Sequence, residues 1–227
     1  MENEDIYGDI SSIKTIMERS AKFISLSGLA GVMAGLYALA GVAILYFLSN
    51  GNILTPDSNT VDNNLPHNSS DVIEKSFIYL LWNPRDLVII GLAVLILSIA
   101  TGTLLTRRKA VKKGRRVWNE SSRALLKSAI VPLITGALLI LIILSCYRFA
   151  VLVFPISLIF YGLALVAASK YTYGDVKWLG FLEIILGLSN VIWMYYSVIF
   201  WAVGFGLLHI LYGAIMYFKY DRGNNAA

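Results

Sequence analysis

Three polar side chains in the apolar second half of the chain are the residues whose types and spacing suggest chemistry: Glu183, Asn190 and His209. Glu183 is the only acidic residue well inside an apolar run, about 8 Å past Trp178 at 1.5 Å per residue. Asn190 follows at i+7, which places it on the same face of a helix. Counted back from Phe218, His209 lies about 13 Å deep, between the levels of the other two. Two antiparallel helices are therefore expected to bring the imidazole near the carboxylate.

An acidic group and an imidazole at this depth indicate a site that responds to protons or cations. Ionisable groups inside a membrane are costly, and they face partners or water-filled cavities. A carboxylate–histidine pair can change its protonation near neutral pH. The alternative is structural, an interhelical hydrogen bond that only fixes the packing of the two helices.

The composition predicts that lipid surrounds most of the chain. Hydrophobic residues make up 57% of the 227 residues and charged residues 15%, whereas about 25% of residues are charged in a typical globular protein. The acidic residues near the N-terminus are the wrong charge for a cleavable signal peptide. We therefore expect an all-α, multi-pass membrane protein whose first span is an uncleaved anchor.

Apolar runs long enough to cross a bilayer predict six transmembrane helices in three hairpins, spanning residues 23–227. An amphipathic arm, residues 1–22, precedes them on the cytoplasmic side, because apolar residues recur in it at helical spacing. An outer loop and a basic cytoplasmic loop connect the first three spans. The predicted spans are about 23–49, 87–105, 128–146, 149–168, 178–194 and 199–218, with the outer loop at 50–86 and the basic loop at 106–127.

The distribution of basic residues predicts the orientation. With the N-terminus inside, only Lys75, Arg85 and Arg148 of the 19 Lys and Arg residues fall outside, leaving 16 on the cytoplasmic side. A Lys or Arg at the centre of a span costs about 2.5–3.5 kcal/mol on insertion scales, and clusters in short loops resist translocation. Both termini are therefore expected in the cytoplasm.

Small residues at helical spacing mark the faces through which helices approach closely. In the first span they recur every four residues. In the last two spans they share faces with the polar side chains, and these two helices are expected to meet through them. The favoured interpretation is packing within one chain, and the alternative is a homo-oligomer formed through the first span. The residues concerned are Ser27, Gly31, Gly35, Gly187, Gly206 and Gly213.

Basic side chains after the second span are candidates for contact with anionic lipids. Each one near the membrane surface would contribute about 1 kcal/mol of electrostatic attraction. The bilayer itself is the expected partner. The simpler explanation of this cluster is orientation alone, and no nucleic-acid partner is expected, because no binding fold surrounds it. The candidate residues are Arg107, Arg108, Lys109, Lys112, Lys113, Arg115 and Arg116.

Catalytic and metal-binding signatures are missing from the sequence. It contains no Gly-x-Ser-x-Gly elbow, no His-Glu-x-x-His motif and no phosphate-cradling Gly-Lys-Ser/Thr motif,. The one cysteine, Cys146, allows neither an intramolecular disulfide nor a cysteine zinc cluster. We predict no catalytic residue, no metal and no cofactor.

The run from Ile13 through Gly28, continuing to Gly31 and Gly35, resembles the opening of an uncharacterised family of bacterial polytopic inner-membrane proteins. The resemblance covers residues 13–35 only. It implies a location in the bacterial inner (plasma) membrane, and it carries no activity, ligand or site residue to this chain.

The leading functional hypothesis is a small transporter-like or membrane-sensing protein that uses a polar intramembrane site at Glu183, Asn190 and His209. A non-catalytic scaffold that binds lipids or a cytoplasmic partner is the alternative, and an intramembrane enzyme is the third. A water-filled cavity that reaches Glu183 would favour the first. A dry bundle with an exposed stripe of small residues would favour the scaffold.

Overall fold

The computed structural model describes residues 27–48, 84–112, 118–147 and 150–221, and within these ranges it contains helices and no strand. The all-α class predicted from the sequence is confirmed for this part of the chain. The α-helices are α1 (Gly28–Leu48), α2 (Pro84–Lys112), α3 (Glu120–Ile142), α4 (Val153–Ala168), α5 (Val176–Ile192), α6 (Ser197–Trp201) and α7 (His209–Met216). Shorter 3-10 turns are Ala150–Leu152, Ser169–Tyr171 and Met194–Tyr196, and π-helical segments are Ile143–Tyr147, Ala202–Leu208 and Tyr217–Asp221.

Within the described ranges, five helical segments are long and apolar enough to cross a membrane. The last of them, Met194–Asp221, is a continuous run through α6, α7 and their neighbouring π-helical turns, and it is called the last span below. The helix α5 has 17 residues, about 25 Å at 1.5 Å per residue, which is shorter than a hydrocarbon core of about 30 Å. The five segments are Gly28–Leu48, Arg85–Lys112, Glu120–Cys146, Ala150–Tyr171 and Met194–Asp221.

Successive helices run in opposite directions, so the bundle has two distinct ends. At one end the start of α1 meets the finish of the last span, where the Gly28 amide donates to Asp221 Oδ2 at 3.1 Å. We call this the Asp175 end, after the residue that immediately precedes α5. At the other end Leu45, Leu87 and Val198 pack in one apolar cluster with the residues that begin α4. We call this the Trp193 end, after the residue that immediately follows α5.

The last span is at the centre of the packing. It contacts α1 on one side and α4 and α5 on the other, while α2 packs on α1 and α3 packs on α4. An aromatic and aliphatic cluster closes the Asp175 end, where Tyr173, Val176 and Met216 are buried. The polar residues of interest lie between the clusters at the two ends.

The helices α2 and α3 continue beyond the apolar runs that predict them. The helix α2 extends to Lys112 and α3 begins at Glu120, so much of the stretch 106–127 is helical rather than loop. A capping box begins α3, in which Asn119 Oδ1 accepts from the Ser122 amide at 2.8 Å and Ser122 Oγ accepts from the Asn119 amide. Hydropathy falls where charges begin, but the backbone hydrogen bonds of a helix do not depend on apolar side chains. The amphipathic arm 1–22, residues 50–83 of the outer loop and residues 113–117 lie outside the described residues.

Candidate functional site

Glu183 is on the buried face of α5, with none of its surface exposed. Its carboxylate lies against the backbone of Gly204 in the last span, because a Cβ added to Gly204 would meet Glu183 Oε2 at 2.6 Å. Any side chain at position 204 would occupy the space of the carboxylate. Gly204 therefore creates the room in which this acidic group sits.

His209 brings its ring to the same place from the start of α7. Its Nδ1 lies 3.0 Å from the carbonyl oxygen of Gly204 and 3.4 Å from Glu183 Oε1. A carbonyl oxygen can only accept, so Nδ1 carries a proton and donates it there. The tautomer of the histidine follows from this contact, and the same N–H points beside the carboxylate.

Tyr161, on α4, completes the environment of the imidazole. Its hydroxyl oxygen lies 2.8 Å from His209 Nε2, and the ring of Phe205 stacks on the histidine ring at 5.8 Å between centroids. With Nδ1 protonated, Nε2 accepts from the tyrosine when the imidazole is neutral and donates to it when the imidazole is charged. Three segments, α4, α5 and the last span, thus supply one polar cluster, which we call the Tyr161–His209–Glu183 site.

The carboxylate of Glu183 is under-satisfied. It lies within ion-pair distance of His209 Nδ1, yet neither of its oxygens makes a hydrogen bond to any of the described residues. The large majority of buried polar atoms have a hydrogen-bond partner, and exceptions call for a functional or solvent explanation. The arrangement can hold a proton either on the carboxyl group or on Nε2 of the ring, with no net charge at the site in either case.

Asn190 forms a second polar contact, separate from the first. It is fully buried on the same face of α5 as Glu183, but seven residues of helix place it about 10 Å further along. Its Oδ1 accepts from the hydroxyl of Ser197 at 2.8 Å, and its Nδ2 has no partner among the described residues. The structure therefore brings together Glu183 and His209, and it pairs Asn190 with a serine that the sequence pattern did not single out.

The glycines of α5 and of the last span pack against helices other than those expected. The sequence suggested that Gly187, Gly206 and Gly213 join α5 to the last span. Instead a Cβ on Gly187 would meet Ile159 of α4, and one on Gly206 would meet Leu39 of α1. The approach of α5 to the last span depends on Gly204, in the π-helical segment Ala202–Leu208. Gly204 was missed because its spacing from His209 is five residues, which does not place it on the histidine's face of a regular helix.

The small residues of α1 pack inward against the last span. A Cβ on Gly31 would meet the Cα of Gly213 at 3.1 Å, and one on Gly35 would meet the carbonyl oxygen of Gly206 at 2.6 Å. Ser27, just before the helix, is also buried. These two backbones are in contact along the stripe, which leaves it covered by the same chain.

Among the candidate lipid contacts, the described residues divide into two kinds. Arg107, Arg108 and Lys112 are exposed. Lys109 differs from the expectation, because its side chain is only 11% exposed and pairs with the Asp221 carboxylate, while its ammonium also lies 5.7 Å from the centre of the Tyr173 ring. Lys109 is therefore directed into the protein rather than toward lipid headgroups. Lys113, Arg115 and Arg116 lie outside the described residues.

A second group of polar contacts joins the finish of the last span to the turn before α5. The Asp175 carboxylate accepts from Lys219 Nζ at 2.6 Å and from the Tyr220 hydroxyl at 2.9 Å. The Tyr220 ring stacks on that of Tyr173. The hydrogen bond from Lys219 lowers the pKa of Asp175, partial burial opposes this effect, and the hydrogen bond from Tyr220 lowers the pKa further. This cluster carries charge where the bundle ends.

Other reactive groups are not assembled into a site within the described part of the chain. It holds no group of three His, Cys, Asp or Glu side chains that could bind a metal. Cys146 is exposed as a free thiol in the π-helical turn that follows α3. The Tyr161–His209–Glu183 site is thus where ionisable groups meet in the bundle interior.

The chain gains no assignment by similarity to other proteins. The resemblance noted for residues 13–35 remains a prediction, and the site has to be interpreted from its own geometry. No protein-family model matches the chain, and no curated protein or solved structure matches it either.

Proposed function

We propose that this chain is a transporter-like or membrane-sensing protein in which the Tyr161–His209–Glu183 site takes up and releases a proton within the bilayer. The observation that carries the proposal is a fully buried carboxylate 3.4 Å from an imidazole nitrogen. An intramembrane ionisable residue with a close partner is by default a hypothesis of a functional site.

A purely structural role explains this geometry less well. A hydrogen bond kept only for packing would satisfy the buried acceptors it involves, because a buried acceptor without a partner costs about 1–3 kcal/mol. Here both carboxylate oxygens lack a hydrogen bond to any described residue. A group that must alternately hold and lose a proton cannot have all its acceptor positions occupied by fixed donors.

The protein stabilises two arrangements of the same proton. In one, a neutral carboxylic acid stands beside a neutral imidazole, with Nδ1–H on the Gly204 carbonyl. In the other, the carboxylate faces an imidazolium that donates from Nε2 to Tyr161. Neither of these two proton-bound arrangements carries a net charge, whereas the proton-released state holds one negative charge, on the carboxylate beside Nδ1–H. Tyr161 is the group through which a proton reaches Nε2, since Nδ1 is already occupied.

The experiment is a double-mutant cycle on Glu183 and His209. Glu183→Gln, His209→Gln and the double variant are compared by thermal stability in one detergent from pH 5 to 8. Intramembrane hydrogen bonds average about 0.6 kcal/mol in such cycles, with a maximum near 1.7. We expect a coupling above about 0.5 kcal/mol that changes with pH. Tyr46→Phe is the matched control, because Tyr46 is a half-buried residue of α1. It should show no coupling to Glu183→Gln or to His209→Gln.

The outcomes of the cycle discriminate among the roles. A coupling independent of pH would assign a packing role, and strict additivity at every pH would mean that the two side chains do not interact. In parallel, infrared spectra should show a carboxylic acid band that disappears in Glu183→Gln. This band should respond to pH in the wild type and not in His209→Gln.

We also propose that the chain crosses the bacterial inner membrane six times. Both termini would then lie in the cytoplasm. Antiparallel neighbours place the start of α1 and the finish of the last span together, as an even number of crossings requires. In a Cys146→Ser background, a cysteine at Asn63 should react with an impermeant maleimide on intact spheroplasts. One at Gly114 should react only after the membrane is opened, and the reverse pattern would invert the orientation.

The scaffold alternative receives less support. An exposed stripe of small residues would favour it, whereas Gly31 and Gly35 pack on the last span. Binding of anionic lipids by the exposed basic residues, and assembly into a homo-oligomer through another surface, stay predictions. An intramembrane enzyme stays the third candidate, and the hydroxyl beside His209 belongs to Tyr161.

A further inference from the structure

Tyr212 has a buried hydroxyl that makes no hydrogen bond to any described residue. It follows His209 by one helical turn, which places it about 5 Å nearer the Asp175 end. Its ring packs against the buried cluster of Tyr173, Val176 and Met216. Ordered waters inside proteins typically bond to buried polar groups that have no protein partner.

The surroundings of Tyr212 connect two polar groups that do not touch each other. Tyr212 lies one helical turn after His209, whose Nε2 is 2.8 Å from the Tyr161 hydroxyl. Its ring packs on the cluster that contains Tyr173, and Tyr173 stacks on Tyr220 at the end of the bundle. Tyr220 donates directly to Asp175 at 2.9 Å. Hydroxyl groups therefore lie at intervals from the imidazole to a partly exposed carboxylate.

The opposite direction offers no such series within the described residues. Toward the Trp193 end, the space beside the site is filled by Leu158, which is fully buried and whose Cδ2 lies at the position that a Cβ on Gly204 would contact. Beyond it Phe154, Val151 and Val198 form a buried apolar cluster. Among the described residues there, Ser197 donates to Asn190 and to the Met194 carbonyl, and Ser157 donates to the Phe154 carbonyl.

We infer that Tyr212 is the group through which protons pass between the Tyr161–His209–Glu183 site and the Asp175 end of the bundle. The inference rests on the proposed function and adds to it the route and the side of access. The proton leaves by way of Tyr161, Tyr212 and Tyr220 to Asp175, directly or through water held at the Tyr212 hydroxyl.

Each step conserves protons. A tyrosine hydroxyl in the series accepts one proton on its oxygen and gives up the one that it carried, so no tyrosine is left charged. The net result is loss of one proton from the His209–Glu183 pair and its gain by Asp175 or by water at the surface. Groups that face the route are Glu183 and His209 at one end, and Asp175, Lys219 and Tyr173 at the other.

The test is the rate at which the buried carboxylic acid exchanges its proton. Full-length protein in liposomes is transferred rapidly from H₂O to D₂O, and the shift of the Glu183 infrared band is followed in time. Tyr212→Phe should slow this exchange by at least about tenfold, because a positioned proton carrier typically contributes more than that. Asp175→Asn, which keeps every buried residue, should slow it by a smaller factor.

Tyr217→Phe is the matched control, since Tyr217 lies five residues further along the same segment with its backbone against Gly28 of α1. It should exchange at the wild-type rate. Wild-type exchange in both Tyr212→Phe and Asp175→Asn would overturn the inference while leaving the proposed function intact. Absence of any Glu183 band that responds to pH would instead overturn the proposed function, so the two failures are distinguishable.

Discussion

The bundle has two regions that satisfy their polar groups in different ways. In α2 and α3, three threonines bond to carbonyls of their own helix: Thr101 to Leu97, Thr103 to Ile99 and Thr135 to Val131. In α4, α5 and the last span, polar side chains bond across helices, as Tyr161 does to His209 and Ser197 to Asn190. Burial differs in parallel, since 6% of the most apolar stretch of α2 and of α3 is buried, against 39% for the span that contains α4.

The difference shows what a buried polar site in a membrane requires. Lipid is as apolar as leucine, so no hydrophobic force draws α2 or α3 onto the rest, and close approach depends on small residues. The glycines supply that approach in the better-buried region, where Gly162 and Gly180 would each place a Cβ within 3 Å of the other's carbonyl oxygen. Only there does protein exclude lipid on enough sides for an acidic residue to be tolerated.

The largest effect should come from adding one methyl group where two backbones touch. A Cβ on Gly213 would lie 2.5 Å from the amide nitrogen of Val32 and 2.7 Å from the carbonyl oxygen of Gly28. Backbone atoms cannot rotate away, so α1 must shift, and overpacking costs about 1–3 kcal/mol. We expect Gly213→Ala to lose about 3 kcal/mol, at the upper limit, measured by thermal unfolding in detergent.

Gly91→Ala in α2 is the matched control for the other region. No described atom lies within 4 Å of a Cβ there, and alanine is the better helix former by about 1 kcal/mol. Stability should be unchanged or slightly raised. If both substitutions have the same effect, the contrast between the two regions does not exist.

Truncating one leucine to alanine in each region should again destabilise the better-buried region more. The difference in stability should be smaller than that between the two glycine substitutions. Leu158 in α4 is fully buried, whereas Leu95 in α2 is 53% exposed. Leu158→Ala should cost about 2 kcal/mol, the low end of the range for buried leucine, because only the cavity and lost contacts count when the reference is lipid. Leu95→Ala should cost close to nothing. Equal losses measured in the same detergent would contradict the assignment of α2 to the lipid-facing region.

The smallest effect concerns the place where the better-buried region meets water. Since the hydrogen bond from Lys219 lowers the pKa of Asp175, the pair adds stability above the pKa of the unfolded carboxyl group. That contribution is lost as pH falls through the lowered pKa of the folded protein. Unfolding midpoints should therefore drop at acid pH more in the wild type than in Asp175→Asn. A variant with the same acid dependence as wild type would show that the contact is not formed.

Several features of the fold and the site follow from the order of residues. Apolar runs of sufficient length predicted helices, because every backbone polar group in lipid must bond within its own segment. Helical periodicity placed Glu183, Gly187 and Asn190 on one face, and all three are buried on α5. Counting residues from the ends of the runs put Glu183 and His209 at similar depths, and their side chains are 3.4 Å apart.

Periodicity in the sequence could not show which helix packs against each of these buried faces. In lipid all apolar helix faces are chemically alike, so a pattern shows which side of a helix is inward without showing which helix lies opposite. Gly187 faces α4 rather than the last span, and Lys109 turns inward to Asp221. The π-helical turn at Gly204, which supplies the carbonyl for His209 and the space for Glu183, arises from contacts between residues distant in the chain. Local periodicity carries no record of such contacts, and the site exists only once the helices have packed.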